Sequence, residues 1–127
     1  DALEIERDAF VQTIGSTRGA IKPALMNQQK LAGIGNVWSD EIDFRLGLHP
    51  DTRANTLGEE CLSAMYDAMR EILKAVLATG ATYSQLPQDW LIRNRTKGAD
   101  CPRCKGTIVT TKVGGRTAYY CGTHQSD

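Results

Sequence analysis

Net charge, aromatic residues and long apolar runs are what this 127-residue sequence has least of. Its 15 lysines and arginines are matched by 15 aspartates and glutamates, so a uniformly basic coat for nucleic acid is excluded. Nowhere is there the run of about 18 apolar residues that a membrane-spanning helix requires. The basic-then-apolar opening of a secretory signal is missing as well, which points to an intracellular protein. There are no internal repeats and no low-complexity tract, so the chain reads as globular. Asp1 rather than methionine opens the sequence, and the expectation is a processed start or a piece of something longer.

The balanced charge conceals an uneven distribution. Residues 1–90 carry 8 basic and 13 acidic side chains, about −5, whereas residues 91–127 carry 7 basic and 2 acidic ones, about +5. That split predicts two lobes, 1–90 and 91–127, with the second facing a polyanion.

Apolar spacing defines the first lobe. Leu3, Ile5, Phe10, Val11 and Ile14 recur at helical intervals before Gly15 and Ser16. A second helix is expected from about Ala20 to before Gly33, with Pro23 in its first turn. The segment Gly33, Ile34, Gly35, Asn36 is a tight turn, after which a third helix runs to Gly47. Thr56 and Glu59 have the spacing of a capping box for a fourth helix, stopped by Gly80. Leu57, Cys61, Leu62, Met65, Met69, Ile72, Leu73, Val76 and Leu77 give that helix one apolar face, read as core. Residues 81–100 read as a linker anchored by Trp90, Leu91 and Ile92.

Beyond Cys101 the period changes. The segments 107–113 and 116–121 flank Gly114 and Gly115, a two-residue loop suited to a primed turn, and predict a β-hairpin. Cys101 and Cys104 form a CxxC knuckle, 16 residues intervene, and Cys121 and His124 form a CxxH at the same spacing. This two-plus-two pattern predicts a tetrahedral zinc site with all four positions filled by protein, structural rather than catalytic. A disulfide or a redox CxxC is the alternative, opposed by the intracellular reading and by the lack of a βαβ context. Cys61 reads as a small buried hydrophobe and His49 as a structural histidine.

The glycine turn at Gly33 and Gly35 lets a partner approach the backbone, and the amides that open the next helix favour an anion such as phosphate. The segments IKPALMNQQKLAGIGNVWSDEI and CPRCKGTIVTTKVGGRTAYYC, separated by a long helix, together resemble the C-terminal half of the formamidopyrimidine and endonuclease VIII DNA glycosylases. The resemblance implies a mainly α fold, a helix-two-turn-helix bundle followed by a zinc-bound β-hairpin, both gripping double-stranded, damaged DNA. It implies that Lys22 and Asn36 contact phosphates, that Gly33 and Gly35 shape the turn, and that Arg116 reaches phosphates beside the everted nucleotide. Lys112 is a looser candidate for a further contact. His124 stands where a fourth cysteine is usual, Lys105 where a glycine is usual, and Trp38 where a tyrosine is common.

In the resembling enzymes an N-terminal proline amine and an adjacent glutamate perform the chemistry. Neither is found here, so the expectation is a catalytically silent DNA-binding fragment of a base-excision glycosylase and lyase, whose catalytic partner is an N-terminal domain of the same polypeptide. Glu4, Glu6 and Glu41 read as structural carboxylates. The competing expectations are a freestanding DNA-binding module and a zinc-ribbon adaptor for proteins. The place of action expected is the cytoplasm or nucleoid of a prokaryotic cell.

Overall fold

A computed structural model describes residues 4–29, 35–80 and 83–125 of the chain. Four helices, α1 (Arg7–Gly15), α2 (Ile21–Gln29), α3 (Gly35–Leu46) and α4 (Glu59–Ala78), precede a hairpin of β1 (Ile108–Val113) and β2 (Arg116–Cys121). The mainly helical fold with a terminal hairpin is the one expected. Gly33 and Ile34 of the expected turn lie outside the described residues.

The helical core gathers Phe10 and Ile14 from α1, Leu25 from α2, Trp38 and Ile42 from α3, and Met65, Met69 and Ile72 from α4. Each large apolar side chain removed from water contributes about 1.5–3 kcal/mol, so this cluster fixes how the four helices pack. The α4 periodicity predicts the buried face well, except that Leu77 remains 68% exposed and Cys61 is only half-buried. The capping box does not form. Gly58 caps α4 without a side-chain bond, because Thr56 closes a 3-10 turn over Ala54–Thr56 and gives its hydroxyl to the Arg53 carbonyl at 2.7 Å. Gly80 ends α4 region with φ of 61°, a conformation that favours glycine.

The stretch between the lobes is pinned, not loose. A 3-10 turn at Leu91–Asn94 presents the amides of Leu91 and Ile92 to the buried Glu41 carboxylate at 2.8 and 2.9 Å. Trp90 packs in the helical core, while Leu91 joins Phe44, Cys101, Ile108 and Cys121 in a second cluster.

In the hairpin, Ile108 faces Cys121 and Val113 faces Arg116, with all six pairs in register. Gly114 and Gly115 have φ of 59° and 80°, the double left-handed turn that only glycine and a few small polar residues accept readily. The tip lies against α2: a Cβ at Gly114 would meet Pro23 Cγ at 2.9 Å. Val113 and Ala118 bury Ala20 just before α2 begins.

Candidate metal centre and nucleic-acid interface

The zinc-type site forms where the two knuckles meet. Each follows from local backbone geometry: the Arg103, Gly106 and Thr123 amides point at the sulfurs of Cys101, Cys104 and Cys121 at 3.5, 3.3 and 3.4 Å. Gly106 cannot be replaced without movement, since a Cβ there would lie 2.5 Å from Thr123 Oγ1 and 2.7 Å from Cys121 Sγ.

The ligand atoms of Cys101, Cys104, Cys121 and His124 all lie within 4.8 Å of one another. Cys104 Sγ is 3.4 Å from Cys121 Sγ, and His124 Nδ1 is 3.6 Å from the sulfurs of Cys101 and Cys104. A tetrahedron with zinc–sulfur bonds of about 2.3 Å and zinc–nitrogen bonds of about 2.1 Å has edges near these lengths. His124 Nε2 lies 3.1 Å from the Phe44 carbonyl oxygen. Because a carbonyl only accepts, Nε2 carries the proton and Nδ1 offers its lone pair inward, the arrangement that metal-bound histidines show. The ring also stands edge-on to Phe44 with centroids 4.8 Å apart.

The thiols differ in acidity. Burial pushes Cys101 up to about 11. Cys121 falls to about 7: burial opposes the shift, and the amides of His124 and Thr123 with the neighbouring thiols overcome it. The donor set fits one structural zinc ion with no open position, whose charge would hold all three sulfurs as thiolates.

Two residues that the sequence did not single out tie this centre to the helices. Gln125 is buried, accepts from the Cys121 amide at 2.8 Å and donates to the Leu48 carbonyl at 2.9 Å. Asp40 is the larger hub. Its Oδ1 takes Lys22 Nζ at 2.6 Å, and its Oδ2 takes Arg95 Nη2 at 2.8 Å and the Tyr119 amide at 3.2 Å. One carboxylate therefore joins α2, α3, the interlobe stretch and β2.

That hub changes the reading of Lys22. An exposed phosphate ligand was expected, but the side chain is fully buried. Besides Asp40, its ammonium donates to Ser39 Oγ at 3.0 Å and to the Asn36 carbonyl at 3.2 Å. All three protons are engaged, so Lys22 ties α2 to the first turns of α3 from the interior. Asn36 sits in the first turn of α3, half-buried, and its side-chain oxygen has no partner among the described residues. Gly35 opens α3, and a Cβ there would make ordinary contact with Met26 Cγ at 3.5 Å, so packing within the chain does not demand glycine.

Arg116 is exposed at the hairpin tip. Since alternate residues face opposite sides of a strand, Arg116 shares its face with Val113 and Ala118, the face turned to the helical lobe. Lys112 pairs with Thr117 on the other face, where its ammonium donates to Thr117 Oγ1 at 2.9 Å. The structure thus separates these two cations. His49 accepts the Asp51 amide at 3.0 Å and packs its ring on Tyr120, a structural role as expected.

Two groups of buried acid remain. Burial pushes Glu41 up, countered by the Leu91 and Ile92 amides. Burial, and next the Asp40 charge, push Asp43 far up, and neither of its oxygens has a partner among the described residues.

A four-helix module joined to a hairpin with a zinc-type Cys3His group is the architecture of helix-two-turn-helix proteins that carry a zinc finger. The family profile described as the formamidopyrimidine-DNA glycosylase H2TH domain matches residues 2–88, and the zinc finger found in FPG and IleRS matches residues 100–123. The chain belongs to the formamidopyrimidine-DNA glycosylase H2TH family. Formamidopyrimidine-DNA glycosylase of Nitratidesulfovibrio vulgaris is 32% identical over 95% of this chain and 36% of that protein. The Pelotomaculum thermopropionicum enzyme is 35% identical over 94% of this chain and 47% of that protein. Among solved structures, MutM in complex with DNA containing carbocyclic 8-oxo-G superposes with a TM-score of 0.80 at 27% identity, over 96% of this chain and 47% of that one. Lactococcus lactis Fpg with abasic-site DNA gives 0.79 at 27% identity, over 96% and 48%. The chain spans about half the length of most of the relatives it matches. His124 falls one residue beyond the zinc-finger match. No described helix is long and apolar enough to cross a membrane.

Proposed function

We propose that this chain is the DNA-gripping C-terminal part of a base-excision DNA glycosylase with lyase activity, and that it holds the phosphates of a damaged duplex. The observation that carries the reading is the contact of the hairpin tip with Pro23 at the start of α2. It sets the guanidinium of Arg116, which has no partner among the described residues, on the side of the helical lobe, whose α3 carries Asn36 in its first turn. Asn36 and the first amides of α3 take one phosphate, as the positive end of a helix dipole favours. Arg116 takes another through its planar fork. Gly35 leaves room for that approach, Lys22 steadies the first turn of α3 through the Asn36 carbonyl, and Lys112 adds charge from the outer face of the hairpin.

Zinc, once bound by Cys101, Cys104, Cys121 and His124, supplies rigidity. The residues of this chain bind and orient; base removal and strand cleavage fall to an N-terminal catalytic domain of the same polypeptide, with damaged bases as substrate. The place of action is where the chromosome lies, the prokaryotic cytoplasm or nucleoid.

The test is a salt titration of binding to a duplex carrying an abasic-site analogue. Affinity should fall steeply with salt, and Arg116→Ala and Asn36→Ala should weaken binding alike for all flanking sequences. Absence of binding at low salt by the zinc-loaded chain would favour a protein adaptor instead.

A further inference from the structure

The sequence holds nine arginines, and the structure gives most of them a partner. Arg7, Arg45, Arg95 and Arg103 pair with Asp67, Glu71, Asp40 and Asp89. Arg93 donates to the Ser84 and Leu86 carbonyls, and Arg70 lies over the Tyr66 ring. The three left without a carboxylate or carbonyl partner among the described residues are Arg18, Arg53 and Arg116, and all three are exposed.

These three come from distant parts of the sequence and border one seam. Ala20 is buried beneath Val113 and Ala118 of the hairpin. Arg18 lies two residues before Ala20 in the loop leading to α2. Arg53 is the antiparallel bridge partner of Ala20, held by the bonds Ile21 N to Thr52 O at 2.8 Å and Ala54 N to Gly19 O at 2.9 Å. Paired residues of an antiparallel bridge project to the same side, so Arg53 leaves the backbone toward the hairpin. Arg116 leaves the hairpin on the face that Val113 and Ala118 present to Ala20. The flanking acids Asp51, Glu59 and Glu60 are exposed and form no ion pair with these arginines.

Elsewhere the described guanidinium groups are engaged within the chain, four of them by carboxylates. Concentrating three unneutralised ones at a single seam leaves a fixed anion as their partner, and three forks fit successive phosphates of one strand better than a single small ion. We infer that Arg18 and Arg53 join Arg116 in a three-arginine phosphate clamp along the seam between the hairpin and α2. The inference rests on the DNA-binding reading and extends it to two residues outside the glycine turn and the hairpin tip.

The deciding measurement is the slope of log affinity against log salt for the zinc-loaded chain on the abasic-analogue duplex. Each phosphate neutralised contributes about 0.9 to that slope. Arg18→Gln/Arg53→Gln should lower it by about 1.8, so a fourfold rise in salt costs the double variant about 12-fold less affinity than the unaltered chain. Arg18→Lys/Arg53→Lys should keep the slope. Lys74→Gln, on exposed α4, should leave it unchanged and so control for a mere change in net charge. Both arginine side chains are exposed, and thermal unfolding verifies that the double variant is folded. An unchanged slope in the double variant overturns the clamp while Asn36→Ala and Arg116→Ala still weaken binding. An equal fall in slope for Lys74→Gln overturns it too. No DNA binding by the unaltered chain overturns the clamp together with the functional reading beneath it.

Discussion

Replacing Asp40 with alanine should be the most damaging single change in the helical lobe, and much worse than removing its partner Lys22. Both side chains of the pair are fully buried. Without Asp40, the Lys22 ammonium stays in the core with only Ser39 Oγ and the Asn36 carbonyl as acceptors. Breaking a buried pair from one side costs about 3–5 kcal/mol, because the remaining charge is uncompensated. The Tyr119 amide and Arg95 lose their acceptor as well. In Lys22→Met the carboxylate keeps Arg95 and the Tyr119 amide, and the methionine fills the vacated space, so about half that cost is expected. For a chain of this size about 4 kcal/mol corresponds to a fall in melting temperature of roughly 15 °C. Thermal and urea unfolding of the zinc-loaded chain, run as a double-mutant cycle with Lys22→Met/Asp40→Ala, isolates the coupling. The double variant should regain most of the stability lost in Asp40→Ala. A loss below about 1 kcal/mol in Asp40→Ala, or a greater loss in Lys22→Met, would refute the reasoning.

Chelation should unfold the hairpin while the helical core survives, since a lobe of this size needs the roughly 10 kcal/mol that zinc supplies; far-ultraviolet circular dichroism should keep its helical signal as hairpin amide protection is lost. His124→Cys should retain zinc but lose the bond to Phe44, costing about 0.5–1.5 kcal/mol in unfolding, and should bind DNA more weakly because the site gains a negative charge. Gly106→Ala should lower zinc affinity in a competition titration, and unaltered affinity would show that the Cβ clash with Cys121 Sγ is relieved by Thr123. Asp43→Asn should flatten the dependence of stability on pH. The raised pKa of Asp43 in the folded chain means that its neutral form is favoured, so its unfavourable contribution is absent below the unfolded value near 4 and grows as pH rises toward the folded one. The gain from the substitution should therefore be seen in melting curves at neutral pH and vanish near pH 4.

The parts written in short-range chemistry were legible from the sequence. The knuckle spacings of Cys101, Cys104, Cys121 and His124, the glycine pair of the hairpin and the periodicity of α4 each report a local requirement. The hub at Asp40 was not legible, since its partners Lys22, Arg95 and Tyr119 are brought together only by tertiary packing. A lysine at a helix start ordinarily reaches into solvent, and only the carboxylate one helix away draws Lys22 inward. Glu41 was read as a structural carboxylate, but its partners were not legible, since they are amides some 50 residues along the chain. The hairpin faces followed from the two-residue period once the register was known, which is how Lys112 parted from Arg116.

The bond between Glu41 and the amides of Leu91 and Ile92 also has a mechanical meaning. It removes the swivel that a stretch of mostly turn-forming residues would otherwise allow, and α3 then acts as a ruler of about 12 Å between Asn36 and Phe44, whose carbonyl meets His124 of the metal centre. A grip of fixed span cannot follow the contour of whatever duplex it meets. On the proposed DNA-binding reading, such a grip favours backbones already bent to its gauge, or easily bent, and a duplex weakened at a damaged site yields most cheaply.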